Sequence, residues 1–143
     1  MRVFGTIISG ILTVSVGVSA QDTFEAPDFN VTDALIGNGV NVSAIPELAN
    51  LVVRSSSSGC SIACNSLGLV FGKTKVASGQ NAEYWSNQQL AVEPYCTFTP
   101  KAALGMSTLV LISRLTQCPF AVKSGGHAAF PGASSIQGAL QLT

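Results

Sequence analysis

Residues 118–127 read Cys-Pro-Phe-Ala-Val-Lys-Ser-Gly-Gly-His, an apolar run that ends in two glycines and the only histidine of the chain. The aromatic and β-branched run 120–122, which lies between a proline and a glycine, predicts a short buried strand. Gly125 and Gly126 lack a Cβ atom, so the backbone after this strand can take positive φ and approach a ligand closely. Successive N–H groups in such a turn form a concave site for an anion such as phosphate. The imidazole of His127, directly after the turn, therefore suggests a bound cofactor.

The segments before residue 118 predict that this strand belongs to a βαβ unit. Alternating residues predict a strand over Gln89–Phe98. Pro100 begins a predicted helix, whose broad apolar stripe ends near Thr116 or Gln117. A strand, a helix and a strand in that order predict parallel strands joined by a right-handed crossover. The Gly-Gly-His turn then lies at the carboxyl end of a strand, where open α/β sheets usually bind ligands.

Two further segments concern the surroundings of this unit. Apolar residues recur at helical spacing over Gly59–Leu67 and predict a helix that Gly68 ends. The next residues, Leu69–Phe71, are expected to form a strand or an extended segment. The aromatic side chains of Tyr84 and Trp85 are expected to pack over the edge of a core rather than to stack on a ligand.

Composition narrows the classes of function. The chain has 143 residues, of which 10% are charged, and its formal net charge is zero. One domain is expected at this length. Binding to nucleic acid normally needs a basic patch, and the lysines and arginines here are scattered, so that class is set aside. Hydrophobic residues at 47%, with 14 glycines and 6 prolines, fit a globular domain with many loops.

The N-terminus predicts a secretory signal peptide over residues 1–20. Arg2 precedes the mostly apolar run Val3–Val18, and small residues up to Ala20 match what a signal peptidase reads. The run is shorter than the roughly 20 residues that a spanning helix needs, so cleavage is favoured over a retained membrane anchor. The mature protein is therefore expected to be secreted, with no stable membrane span.

A polar lead-in is expected over residues 21–57. It carries two N-glycosylation sequons, at Asn30 and Asn41, and a short predicted helix that begins at Pro46. Glycosylation at these positions requires passage through the secretory pathway, which agrees with the predicted signal peptide.

The four cysteines are an even number, which suits two disulfides in an oxidising compartment. Cys60 and Cys64 lie one turn apart on a predicted helix, a geometry that disfavours a bond between them. Each is expected to bond either Cys96 or Cys118, and the sequence leaves the pairing open. A zinc site is the alternative, but the spacing lacks paired Cys-x-x-Cys motifs.

These motifs, taken in order, resemble a known series. Trp85-Ser86-x-Gln88-Gln89, then Pro94-x-Cys96, Pro100, a helix and the segment 118–127 are similar to the start of the FAD-binding domain in the vanillyl-alcohol-oxidase superfamily (the p-cresol-methylhydroxylase or PCMH type). Within it, the chain most resembles fungal secreted berberine-bridge-enzyme-like FAD-linked oxidoreductases. The resemblance covers roughly residues 58–138.

The resemblance implies an α+β fold with a partial PCMH-type domain over residues 58–143 and FAD as the cofactor. It implies hydride removal from a small-molecule substrate, such as an alcohol, a sugar or a secondary metabolite, with oxygen as the acceptor. In many relatives the histidine after the two glycines carries the flavin covalently through its 8α-methyl group. The cofactor-binding residues so implied are Lys123, Ser124, Gly125, Gly126, His127 and Ala128.

The series departs from the family pattern after Gly138, over Ala139–Thr143. The catalytic base and substrate contacts of the family lie in parts that have no counterpart here, so no catalytic residue is assigned. The chain is interpreted as a truncated N-terminal part of such an oxidoreductase. Two alternatives are a small secreted, disulfide-stabilised binding or effector protein, and an inactive fragment of the oxidoreductase.

Overall fold

The computed structural model of the chain describes residues 29–51, 56–79 and 83–143, with the side chains of 56–58 excepted. The predicted signal peptide and the start of the lead-in, residues 1–28, lie outside these ranges. Within the described ranges, no helix has the length and the apolar character needed to cross a membrane.

A four-stranded sheet of mixed orientation lies at the centre of the fold. Its strands are β1 (Val76–Ser78), β2 (Cys96–Phe98), β3 (Phe120–Val122) and β4 (Leu140–Leu142). Their spatial order is β1-β2-β4-β3, with β1 antiparallel to β2 and with β4 parallel to both β2 and β3. The α+β class expected for the chain is confirmed.

The helices of the described ranges are α1 (Val31–Gly37), α2 (Pro46–Ala49), α3 (Ser56–Phe71), α4 (Asn87–Leu90) and α5 (Ala103–Thr116). Helix α3 packs against one face of the sheet, α1 packs on α5 and α2 on α3, whereas α4 is hydrogen-bonded to the loop after β3. The long helices α3 and α5 pack on each other, and their buried side chains share a core with Phe98, Leu140 and Leu142 of the sheet. Apolar residues of β2 and β4 therefore face the helices, and the residues between them face the other way.

The predicted βαβ unit consists of β2, α5 and β3. Its two strands are parallel, as predicted, but β4 lies between them and pairs with both. α5 begins at Ala103, three residues after the predicted start, and ends at Thr116, as predicted. Gln117 follows in the left-handed conformation with φ of 55°, and its N–H donates to the carbonyl groups of Ser113 and Arg114.

Two segments predicted to be extended are helical. Leu69–Phe71 continues α3, because Phe71 still packs against the core beyond Gly68 and so sustains the helix. The strand predicted over Gln89–Phe98 is wrong in its first part, where α4 ends. Only Cys96–Phe98 pairs with neighbouring strands, since its partners β1 and β4 are themselves three residues long.

Two disulfides bind α3 to the βαβ unit. Cys60 is bonded to Cys118, just before β3, and Cys64 is bonded to Cys96 in β2. The predicted disulfide framework is confirmed, and the pairing that the sequence left open is settled. All four cysteines are bonded, so none is available to ligate zinc.

The described part of the lead-in packs against the same core. Leu35 and Val40 are buried there together with Ile45. Asn38 Nδ2 donates to Ser107 Oγ at 3.0 Å, which joins the end of α1 to α5. Residues 29–51 thus share their packing with the helices that support the sheet.

Candidate functional site

The sheet face turned away from α3 and α5 is a buried polar layer. Thr97, Gln141 and Ala121 lie side by side on it, one from each parallel strand. Gln141 Nε2 donates to the carbonyl oxygen of Ser134 at 2.9 Å and also to the hydroxyl of Tyr84. Because a buried polar group is stable only when it is hydrogen-bonded, this layer fixes the two segments that cover it.

Three side chains at and before α4 hold the carbonyl groups of the loop that follows β3. Trp85 Nε1 donates to the carbonyl oxygen of His127 at 2.8 Å. Ser86 and Gln89 donate to the carbonyl oxygens of residues 129–130. We call Trp85, Ser86 and Gln89 the carbonyl clamp. It binds three carbonyl acceptors, at residues 127, 129 and 130, and none of its bonds uses the backbone N–H donors of this segment.

Those donors have no protein acceptor. Across the part of the chain that the structure describes, none of the backbone N–H groups from Ser124 to Ala129 donates to a protein oxygen. Gly126 takes φ of 66°, whereas Gly125, which was expected to do the same, does not take positive φ. A residue of left-handed conformation in a turn can direct successive N–H groups toward one side, as in an anion-binding nest.

The two glycines have different surroundings. The position of Gly126 favours glycine because of its φ of 66°, whereas the nearest contacts of an added Cβ, 2.9 Å to Lys123 Cε and 3.4 Å to Tyr84 Cδ1, involve a flexible side chain and an ordinary packing distance. A Cβ atom at Gly125 would meet nothing within 4 Å. Open space therefore lies beside Gly125, where a ligand can reach the backbone.

The loop lines a pocket of about 260 Å³. Its other walls include Val122, Ala133 and Ser134. The Oγ atom of Ser134 is buried and has no hydrogen-bond partner among the described residues. An unpaired buried hydroxyl costs about 1–3 kcal/mol, which fits a site where a ligand oxygen accepts its hydrogen bond.

The pocket brings together most of the predicted cofactor-binding residues. Residues 124–128 all line it. Lys123 does not, because its ammonium group lies over the Tyr84 ring, 5.3 Å from the ring centroid. Sequence reasoning missed Ser134, whose burial depends on hydrogen bonds across the sheet and leaves no local pattern in the sequence.

His127 and Trp85 form an exposed pair at this loop. Their ring centroids lie 6.5 Å apart, with the planes tilted by 41°. Tyr84 is buried, as expected for a residue at the edge of a core, but Trp85 is 64% exposed. The expectation that Trp85 would pack on the core is therefore wrong, because the indole Nε1 of Trp85 donates to the loop carbonyl of His127.

A second pocket, of about 220 Å³, shares no residue with the loop. Phe71, Phe98 and the stems of Lys75 and Lys101 line it. Desolvation, and then the neighbouring Lys101 ammonium group, lower the pKa of Lys75 below its ordinary value. In the described ranges, no group of three His, Cys, Asp or Glu side chains is placed to bind a metal ion.

Comparisons with known proteins find short similarities to fungal enzymes. The chain is 36% identical over 69 residues to the FAD-dependent monooxygenase tpcD of Cochliobolus heterostrophus. The aligned region covers 47% of this chain and 13% of that protein. It is 44% identical over 59 residues to the FAD-dependent monooxygenase FUP4 of Fusarium proliferatum, covering 41% of this chain and 11% of that protein.

A third relative is named for a different activity. The chain is 36% identical over 86 residues to the oligopeptidase PhomG' of Diaporthe leptostromiformis, covering 51% of this chain and 7% of that protein. The similarity thus spans between 7% and 13% of the length of these three relatives. No family model matches the chain, and no solved structure matches it.

Proposed function

We propose that the chain is the N-terminal part of a secreted FAD-dependent oxidoreductase and that the loop of residues 123–128 binds the FAD pyrophosphate. Partial similarity to two FAD-dependent fungal monooxygenases supports the cofactor. The observation that carries the proposal is the row of N–H groups without protein acceptors, from Ser124 to Ala129, beside the buried hydroxyl of Ser134. These donors suit a ligand with several negatively charged oxygens.

Each part of the pocket has a proposed role in holding the pyrophosphate of FAD. The N–H groups of residues 124–128 donate to phosphate oxygens, and Ser134 Oγ donates to one more. Gly125 has no side chain in the open space beside it, so a phosphate can approach the backbone there. The carbonyl clamp keeps three carbonyl groups at the end of this loop and just after it, those of His127, Ala129 and Phe130, bonded to protein donors, so that they do not repel a phosphate.

His127 is the proposed attachment residue for the flavin. Its side chain is exposed and lines the pocket. The imidazole of His127 would hold the flavin through its 8α-methyl carbon, and the bound flavin, with oxygen as the final acceptor, would supply the oxidising equivalents for that bond.

Bound FAD supplies the redox chemistry, which is proposed to be hydride removal from an alcohol, a sugar or a secondary metabolite with oxygen as the acceptor. The chain itself supplies position and electrostatics. Its disulfides hold the strand before the loop, and the polar layer holds the segment behind it. No described residue is proposed as the catalytic base.

Secretion and glycosylation belong to the same proposal. The two disulfides suit an oxidising compartment. Asn30 and Asn41 are exposed, and the Oδ1 atom of each accepts a hydrogen bond from the turn that follows it. A glycan is attached through Nδ2, so both caps are compatible with glycosylation.

The similarity to an oligopeptidase supports no second function. A serine peptidase needs a histidine that is hydrogen-bonded to its nucleophile and oriented by a third group. Among the described residues, no serine hydroxyl and no carboxylate is hydrogen-bonded to the imidazole of His127. The hydrogen bond that this residue makes uses its backbone carbonyl.

The proposal is tested with a matched pair of neighbouring serines. Ser134 and Ser135 are both buried, but only Ser135 Oγ has a protein partner, the carbonyl oxygen of Val92 at 3.2 Å. We expect Ser134→Ala to weaken FAD binding by about fivefold or more without lowering stability, and Ser135→Ala to lower stability without weakening FAD binding. Inorganic pyrophosphate should compete with FAD for the wild-type chain. FAD binding that pyrophosphate does not affect and that Ser134→Ala leaves unchanged would contradict the proposal.

A further inference from the structure

We infer that the exposed indole of Trp85 forms a contact surface for the flavin ring beside His127. This inference rests on the proposed function and assigns a ligand-contacting residue outside the loop. In this role, Trp85 favours the flavin half of FAD over the adenine half beside His127.

The first observation is that Trp85 is fixed and yet exposed. A tryptophan that is 64% exposed keeps a large apolar surface in water. Its position is nevertheless defined, because Nε1 donates to the carbonyl oxygen of His127 at 2.8 Å. The hydrogen bond holds the indole by one edge and does not use either face.

The second observation is the distance to His127. The indole and imidazole centroids lie 6.5 Å apart. Aromatic rings contact each other at centroid separations of about 4.5–7 Å, so a planar ring that is held at the imidazole lies within reach of the indole. In the proposed function this ring is the flavin ring, which is joined to His127, whereas adenine lies at the far end of the cofactor.

A rival role for Trp85 is that of a hydrogen-bond donor alone. Two variants separate these roles. Trp85→Phe keeps an aromatic face and loses the N–H donor, and Trp85→Gln keeps an N–H donor and loses the aromatic face. If Trp85 contacts the flavin ring, Trp85→Gln should bind FAD more weakly than Trp85→Phe. If Trp85 only holds the loop, Trp85→Phe should bind FAD more weakly.

The experiment titrates the full chain with FAD, FMN and ADP, under argon so that the oxygen-dependent covalent step does not compete. We expect Trp85→Gln to raise the dissociation constants of FAD and FMN by about tenfold or more and to leave that of ADP unchanged. Trp85→Phe removes one of the three donors of the carbonyl clamp and should therefore weaken the binding of all three ligands alike, by less than Trp85→Gln weakens that of FAD and FMN. Circular dichroism checks that both variants fold.

A readout from the wild-type chain does not depend on folding of the variants. Trp85 is the only tryptophan, so its emission reports directly on this position. FMN should quench it, and ADP should not. Three results would overturn the role of Trp85 without contradicting the proposed FAD site. They are equal losses of FMN and ADP affinity in Trp85→Gln, weaker FMN binding by Trp85→Phe than by Trp85→Gln, and tryptophan emission that bound FMN does not quench. A wild-type chain that binds neither FAD nor FMN would overturn the proposed function as well.

Discussion

The indole N–H of Trp85 donates to the backbone carbonyl of His127 at 2.8 Å, across 42 residues of sequence. This bond joins the segment before α4 to the loop after β3. Ser86 and Gln89 extend the same contact along the loop. As a result, side chains hold the carbonyl groups of His127, Ala129 and Phe130, and residues 124–128 line a pocket that also contains Ser134 with its buried hydroxyl.

The two adjacent glycines should respond differently to alanine. Gly126→Ala introduces a Cβ at φ of 66° and 2.9 Å from Lys123 Cε, so we expect a loss of about 1–2 kcal/mol of stability. Gly125→Ala meets nothing within 4 Å and should leave stability nearly unchanged while weakening pyrophosphate binding. Thermal unfolding and calorimetric titration with pyrophosphate measure both effects. Equal destabilisation by the two changes would contradict the assigned geometry.

The buried polar layer should depend on the hydroxyl of Tyr84. Tyr84→Phe removes a group that is bonded to Gln141 and to the carbonyl oxygen of Ser134. We expect a loss of about 1–3 kcal/mol in the free energy of unfolding, measured with urea, because both buried partners lose a hydrogen bond. Tyr95→Phe, at an exposed tyrosine, serves as the control and should have little effect. A Tyr84→Phe variant as stable as the control would show that the layer contributes nothing.

The two disulfides should differ in their effect on the loop. Replacing both cysteines of either pair with serine should cost about 2–5 kcal/mol. The Cys60–Cys118 bond spans 58 residues and the Cys64–Cys96 bond spans 32, so the entropy model adds about 0.5 kcal/mol to the first. Because Cys118 lies two residues before β3, only the loss of the first pair should also weaken pyrophosphate binding. Urea unfolding and titration check this, and a larger binding loss from the second pair would contradict it.

The pKa of Lys75 should rise when its neighbour is removed. Desolvation and the Lys101 ammonium group lower this pKa below the ordinary value of 10.5. Folding therefore favours neutral Lys75, so its contribution to stability is full above about pH 10.5 and is lost as the pH falls through the lowered pKa. Lys101→Gln should raise the pKa, as followed by NMR titration, and should flatten this pH dependence. Lys73→Gln is the control, and an equal rise there would contradict the pairing of Lys75 with Lys101.

Much of the framework could be predicted from the sequence because it depends on local patterns. Cys60 and Cys64 lie one helical turn apart, which separated them into two different bonds. The order of strand, helix and strand around α5 predicted the parallel pair. The short apolar run Leu69–Phe71 was assigned wrongly, because such a run fits a buried strand and a buried helix end equally well.

The details of the candidate site could not be predicted in the same way. The Gly-Gly pair permits positive φ at either position, and only the structure shows that Gly126 takes it and Gly125 does not. The hydrogen bond of Trp85 depends on a segment 42 residues away. The same holds for Ser134, since its burial arises from contacts with Gln141 across the sheet.

The most direct test of the central claim is covalent flavin on His127. The full chain is secreted from a host supplied with flavin, precipitated with acid and separated on a denaturing gel. The account predicts a fluorescent flavin band for the wild type and none for His127→Ala, while the variant still folds and binds added FAD reversibly. A folded wild-type chain without flavin fluorescence after exposure to FAD and oxygen, or a His127→Ala band as bright as that of the wild type, would contradict it.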